Sequence, residues 1–210
     1  MKKISGVRWT IVILVLSCLP LLDMLREGLP RTHDGKDHVA RIANFYQSLA
    51  EGNIVPRWSE NLNWGYGHPV TMFLYPLPSY IGSFFHWVGF SLVDSIKLVF
   101  AVAYIASILT MLAWAGSVWG LEAGIVAALL YGFAPYRFVD MYVRGAIGEH
   151  VAFVFLPVIL LGLWHLAAGK TNRLAGSLTV VGVAGLVLSH NALSLMFLGL
   201  GLCYGVYLNF

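Results

Sequence analysis

His33-Asp34-Gly35-Lys36-Asp37-His38-Val39-Ala40-Arg41 places six ionisable residues in nine positions, in a chain that is 59% hydrophobic and 11% charged. With a helix beginning near Gly35, Asp34 and His38 stand about one turn apart, so a carboxylate and an imidazole can converge on one proton or one cation. A plainer arrangement uses the same residues: Asp34 caps the helix, Asp37 pairs with Arg41 at i,i+4, and both histidines sit among lipid headgroups. His33 and His38, five positions apart across a helix start, give little support to a metal site.

A second concentration of polarity is Tyr136-Arg137-Phe138-Val139-Asp140-Met141-Tyr142-Val143-Arg144-Gly145-Ala146-Ile147-Gly148-Glu149-His150. Arg137 and Arg144 suit phosphate or diphosphate, whose oxygens match the guanidinium fork. Glu149 stands at the mouth of the following apolar run and can supply a second carboxylate. The alternative is an ordinary interfacial loop in which Asp140 pairs with Arg144. A third site, Ser189-His190-Asn191, joins the last two apolar runs, where a polar triplet either caps a turn or contributes His190 to chemistry. The chain has no phosphate-binding glycine loop, no H-E-x-x-H helix and no G-x-S-x-G elbow.

The elements that must position these residues are mostly apolar. Mean hydropathy is +0.76, and the apolar runs reach bilayer length, which points to an integral membrane protein. The net charge of +3 offers no nucleic-acid surface. Cys18 and Cys203 fall inside apolar runs and read as small buried residues rather than a disulfide or a metal pair. Lys2, Lys3 and Arg8 precede or open a first span at Val7–Leu22, read as a retained helix with a cytoplasmic N-terminus.

Further spans are expected at Ile96–Trp114, Leu121–Ala134, Val151–Leu166, Leu174–Leu188 and Ala192–Tyr207. The fold class is therefore an all-α polytopic membrane protein with about six transmembrane helices. Residues 26–94 form its first external loop. Within that loop an amphipathic helix is expected from Lys36 to Glu51. Val39, Ile42, Ala43, Tyr46, Leu49 and Ala50 share one face, with Asp37, Arg41, Asn44 and Ser48 on the other.

Val70–Phe90 is apolar but broken by Pro76, Pro78, Gly82 and Gly89. If it crosses, Arg137–His150 becomes cytoplasmic. If it is re-entrant, Arg137–His150 faces outward beside His33–Arg41, and Lys170 and Arg173 lie inside, as positive-inside prefers. The apolar ending at Asn209-Phe210 reads as the front part of a longer protein.

Taken together, His33-Asp34-Gly35-x-x-His38-x-x-Arg41, Arg57-Trp58, Gly65-Tyr66-Gly67-x-Pro69 and Phe73-x-Tyr75-Pro76-x-Pro78-x-Tyr80 resemble a family of bacterial membrane proteins. Ala134-Pro135-Tyr136-Arg137, Asp140-x-Tyr142-x-Arg144-Gly145-Ala146-x-Gly148-Glu149 and Leu188-Ser189-His190 complete the resemblance. The family is labelled "6-pyruvoyl-tetrahydropterin synthase-related", and it is similar to type C glycosyltransferases such as protein O-mannosyltransferases and the aminoarabinose transferases of lipid A.

That resemblance implies transfer of a sugar from a polyprenyl-phosphate donor to an acceptor on the outer face of the bacterial cytoplasmic membrane. The alternative is a non-catalytic membrane module that binds or transports polyprenyl-linked glycans. Asp34 matches the first-loop acid and candidate base, and Asp140 or Glu149 the later acid. Arg137 and Arg144 would hold the donor phosphate, with His33, His38, Arg41 and His190 around the substrate. This chain has Asp34-Gly35 where many relatives of the wider class carry paired acids, which leaves a divalent metal possible but unspecified. The implied partners are the lipid bilayer and a polyprenyl-phosphate-linked sugar.

Overall fold

A computed structural model describes residues 8, 11–12, 15–16, 19–169 and 173–209. All regular structure among them is helical. Leu19–Leu25 is a 3-10 stretch. It is followed by α1 (Gly35–Ala50), α2 (Val70–Phe73), α3 (Leu77–Trp87), α4 (Leu92–Trp119), α5 (Leu121–Phe133) and α6 (Pro135–Val139). A π turn (Asp140–Arg144) leads into α7 (Ile147–Ala167), α8 (Arg173–Ser189) and α9 (Asn191–Tyr207).

The long helix α4 is the central post. Ser91 caps its start by accepting from the Asp94 N–H at 3.0 Å, while the Ser91 hydroxyl donates to the Asp94 carboxylate at 2.6 Å. Ile96, Val99, Phe100, Ala103, Tyr104 and Ile108 recur at helical spacing and are buried. They pack with Ile42 of α1, Met141 of the π turn, and Ile147 and Val151 of α7 in one core. Helices α5 and α7 lie along α4, and α8 lies along α7. A smaller core of Ala152, Ile159 and Leu186 holds α7 to α8.

Among the described residues two helices are long and apolar enough to cross a membrane, not about six. They are Leu92–Trp119 (28 residues, mean hydropathy 2.2) and Ile147–Ala167 (21 residues, mean hydropathy 2.0). Only 39% and 33% of their apolar windows are buried inside the protein. Three of the expected six fail on length. The 13 residues of α5 rise about 20 Å and the 17 residues each of α8 and α9 about 25 Å, against a hydrocarbon core of about 30 Å.

The breaks are local. Gly120, at φ 92, ends α4 and opens α5. His190, extended at φ −163 and ψ 116, separates α8 from α9. Seven of the sixteen residues of the expected first span at Val7–Leu22 lie outside the described residues, as does Lys170. The run Val70–Phe90 is two short helices, α2 and the 11-residue α3, parted at Leu74–Pro76. Asp34 stands at the N-cap position of α1 but makes no side-chain cap bond. Instead the Thr32 hydroxyl accepts from the Gly35 N–H at 3.1 Å.

Helices α4 and α5 approach closely where Gly124 meets Gly116, and the two glycines are not equivalent. A Cβ on Gly124 would lie 2.8 Å from Gly116 backbone atoms and 2.9 Å from the Leu112 carbonyl, whereas one on Gly116 meets nothing nearer than 4.0 Å. Gly124→Ala is expected to destabilise the protein by about 1–3 kcal/mol through helix displacement. Gly116→Ala should be neutral or slightly stabilising. Thermal unfolding in detergent checks both, and equal midpoints for the two variants would contradict this packing.

Candidate functional site

The polar site is built on the π turn between α6 and α7. The Asp140 carbonyl accepts from the N–H groups of both Gly145 (2.9 Å) and Ala146 (3.1 Å). This widened turn ends at Gly145, whose φ of 70 requires the left-handed region. A Cβ there would also strike the Thr32 hydroxyl. The wide turn swings Asp140 and Arg144 toward the first turn of α7, where Glu149 and His150 emerge.

Arg144 is the hub. Its Nη2 donates to Glu149 Oε1 at 2.6 Å and its Nη1 to Asp140 Oδ1 at 3.3 Å. Nη1 also donates to the Tyr136 hydroxyl, which itself donates to Glu149 Oε2 at 2.6 Å. The Arg144 side chain is 38% exposed, that of Glu149 10% and that of Asp140 fully buried. Glu149 holds the Arg144 guanidinium above its ordinary pKa.

His190 Nε2 lies 3.8 Å from Glu149 Oε1. Its Nδ1 accepts from the Leu193 N–H at 3.1 Å and so caps α9, which leaves the ring proton on Nε2, facing Glu149. Burial lowers the His190 pKa against the pull of Glu149, and the nearby Arg144 lowers it further.

Behind this rim, Asp140 Oδ2 faces His150 Nδ1 at 3.3 Å. The His150 ring stacks on Tyr104 with centroids 5.9 Å apart and an interplanar angle of 13°. Burial, with the neighbouring Glu149 charge, pushes the Asp140 carboxyl up to about 7, against the pull of Arg144 and Arg137.

The first loop docks on the π turn through its backbone. The N–H groups of His33 and Asp34 donate to the carbonyls of Val143 and Arg144, each at 3.0 Å. His38 is buried, and its Nε2–H donates to the Gly145 carbonyl at 2.8 Å. Burial lowers the His38 pKa, while the bond to the Gly145 carbonyl opposes that shift. The Asp34 carboxylate has no hydrogen-bond partner among the described residues and is partly exposed. The His33 side chain is exposed. Arg41 pairs with Asp37 at 3.7 Å.

Arg137 is not part of this rim. It is 2% exposed and enclosed by the rings of Phe153, Tyr104 and Tyr131, at 4.4, 5.2 and 5.6 Å from its guanidinium carbon. The one hydrogen bond of its side chain among the described residues runs from Nη2 to Ser107 at 2.8 Å. Aromatic faces stabilise the cation in place of water, tying α6 to α4, α5 and α7.

The structure thus brings Asp140, Arg144, Glu149 and His190 into one cluster. It sets Asp34 and His38 against the same turn, with Arg137 inside and His33 outside. Three further members are Tyr136, His150 and Tyr75. Tyr75 stacks on His190 at 5.0 Å and lies so close over Gly148 that a Cβ there would collide with its ring. Burial raises the Tyr75 pKa, Arg41 opposes that shift, and Glu149, Asp34 and Asp140 add to it. Tyr136 and His150 sit in the same polar run as the arginines, whereas Tyr75 is marked in the sequence only by the Phe73-x-Tyr75-Pro76-x-Pro78-x-Tyr80 motif. No group of three His, Cys, Asp or Glu side chains among the described residues is placed to hold a metal ion.

No family model matches the chain, and no solved structure matches it. An uncharacterized protein of Lactococcus lactis subsp. cremoris is 24% identical over 204 residues, covering 94% of this chain and 33% of the relative. The chain therefore spans about a third of the length of the curated relative it matches.

The raised Asp140 pKa has a definite sign. Because the folded state binds this proton more tightly than the unfolded chain, the Asp140 contribution is fully present below the ordinary carboxyl value of 3.8 and is lost as pH rises toward about 7. Wild-type stability relative to Asp140→Asn should therefore fall between about pH 4 and pH 7. Thermal midpoints of the two proteins across that window check it, and parallel curves would refute the assignment.

Proposed function

We propose that this chain takes part in moving a sugar from a polyprenyl-phosphate carrier to an acceptor hydroxyl, at the outer face of a bacterial cytoplasmic membrane. The observation that carries the reading is a carboxylate without a hydrogen-bond partner among the described residues, on a backbone docked to the turn that bears a part-exposed guanidinium. Asp34 is held by its own N–H on the Arg144 carbonyl, while the Arg144 side chain is 38% exposed beside the apolar helices. A lipid-borne phosphate is an apolar tail with an anionic head, and this site offers apolar helix surface next to one arginine fork.

In this reading Arg144 takes the donor phosphate and stabilises the charge that develops as the anomeric carbon–oxygen bond breaks. Asp34 accepts the acceptor hydroxyl proton as that oxygen bonds to the anomeric carbon, and the phosphate leaves with the electron pair. Arg144 gives up its bond to Glu149 when it grips phosphate, so Glu149 becomes available at the moment of donor binding. Asp140, fully buried against His150, positions Arg144.

The second reading, a module that binds polyprenyl-linked glycan without turnover, is favoured by one feature. Glu149 is fully engaged by Arg144 and Tyr136, as a resting binding site would have it.

Asp34→Asn should lower transfer from a polyprenyl-phosphate sugar about 100-fold or more, while leaving binding of polyprenyl phosphate intact. Arg144→Lys should weaken that binding, because an ammonium cannot replace the two-pronged grip. Radiolabelled sugar transfer and lipid-phosphate binding, measured side by side, separate the readings. Unchanged transfer by Asp34→Asn would overturn its role, and wild-type binding with no turnover would select the binding module.

A further inference from the structure

On the side of α1 away from its docked N-terminus lies a cleft of about 230 Å³, closed by the loop that carries Arg57, Trp58, Glu60 and Asn61. It is small for a drug-sized ligand and suits a single sugar ring. Its walls are unusual in such an apolar chain, being planar amides and carboxylates around one indole.

The polar wall is held in place by its own bonds. The Asn61 N–H donates to Asn44 Oδ1 at 2.9 Å, and Asn61 Nδ2 donates to Gln47 Oε1 at 2.8 Å. Gln47 Nε2 then donates to Glu51 Oε1 at 3.0 Å, and Asn44 Nδ2 to the Ala40 carbonyl at 2.9 Å. This chain fixes the orientation of each amide. It leaves Asn61 Oδ1, the second Glu51 oxygen, Glu60 and Arg57 to face a ligand. Hydroxyls both donate and accept, so a mixed set of planar acceptors with one guanidinium matches a polyol. Two acids against one arginine leave no positive surplus, which disfavours phosphate or acidic ligands.

The indole wall is rigid. Ser59 and His68 exchange backbone hydrogen bonds, each at 3.0 Å, which brings Gly67 against Trp58. A Cβ on Gly67 would lie 2.5 Å from three indole atoms, so only glycine lets the ring settle there. Trp58 nevertheless stays 49% exposed. A fixed, half-exposed indole beside planar polar groups is a surface on which the C–H face of a pyranose can stack.

We propose that this cleft binds one neutral hexopyranose unit of a saccharide, with Trp58 as the stacking platform and Asn61, Glu51, Glu60 and Arg57 bonding its hydroxyls. Binding stands on the cleft alone; its role as an acceptor subsite rests on the transfer reading. From Asp34 to Asn44, α1 rises about 15 Å, a span that a short oligosaccharide lying along the helix covers.

Saturation-transfer NMR on the full chain in a sugar-free detergent tests the proposal, with maltotriose, cellotriose, chitotriose and mannotriose as probes. At least one should receive saturation from the protein and lose affinity tenfold or more in Trp58→Ala, less in Trp58→Phe. Gly67→Ala should weaken it as well, whereas Trp119→Ala should not. Thermal midpoints confirm that the variants fold. Binding that depends on Trp58 upholds the cleft even if no sugar transfer is ever found. The proposal is overturned if none of the four saccharides binds, if binding persists in Trp58→Ala, or if inorganic phosphate competes for the cleft.

Discussion

The polar end of this molecule depends on where one guanidinium sends its hydrogens. Arg144 answers Glu149 and Asp140 at once and reaches Tyr136 as well, so it balances charges that would otherwise repel each other beside an apolar core. Without it, two carboxylates would share a desolvated pocket, at a cost well above that of any surface pair. The cation in turn needs a backbone that turns wide of a regular helix, because normal α geometry would not aim Arg144 back toward α7. The π turn, the left-handed Gly145 and the ion pairs are therefore parts of one arrangement.

The two arginines of this region divide the labour between charge and packing. Arg144 works at a rim where water and ligands reach it. Arg137, seven residues earlier, spends its charge on three aromatic faces contributed by α4, α5 and α7. It fixes the interior against which the rim is held, and the rim has a firm base because the fold tolerates a buried cation there.

Much of the first loop is readable from sequence because its pattern is local. The amphipathic periodicity of the helix places Ile42 inside and Asp37 outside, although Phe45, which that face did not include, is buried as well. What fails is whatever depends on a distant partner. Asn44 reads as a solvent-facing residue yet is buried, because its acceptor is taken by the Asn61 backbone. Arg137 reads as a phosphate ligand because its rings come from positions 104, 131 and 153, which no local window joins. The number of spans fails for another reason: hydropathy sums composition and does not measure length, so Leu174–Leu188 and Ala192–Tyr207, correctly parted at His190, form helices of 17 residues each that are too short to cross. The clustering of Asp140, Arg144, Glu149 and His190 is half legible. The first three share one polar run, but His190 joins them only through the packing of α8 on α7.

The attachment of the first loop has a consequence for how this site can change. His33 and Asp34 are tied to the π turn by main-chain donors and acceptors alone, so the join is indifferent to what their side chains are. A lineage carrying this fold can exchange the carboxylate at position 34 for an amide, an alcohol or an imidazole and keep the loop seated. Geometry and chemistry are inherited separately at this position, which makes it a place where descendants can acquire new reactivity without first losing a stable fold.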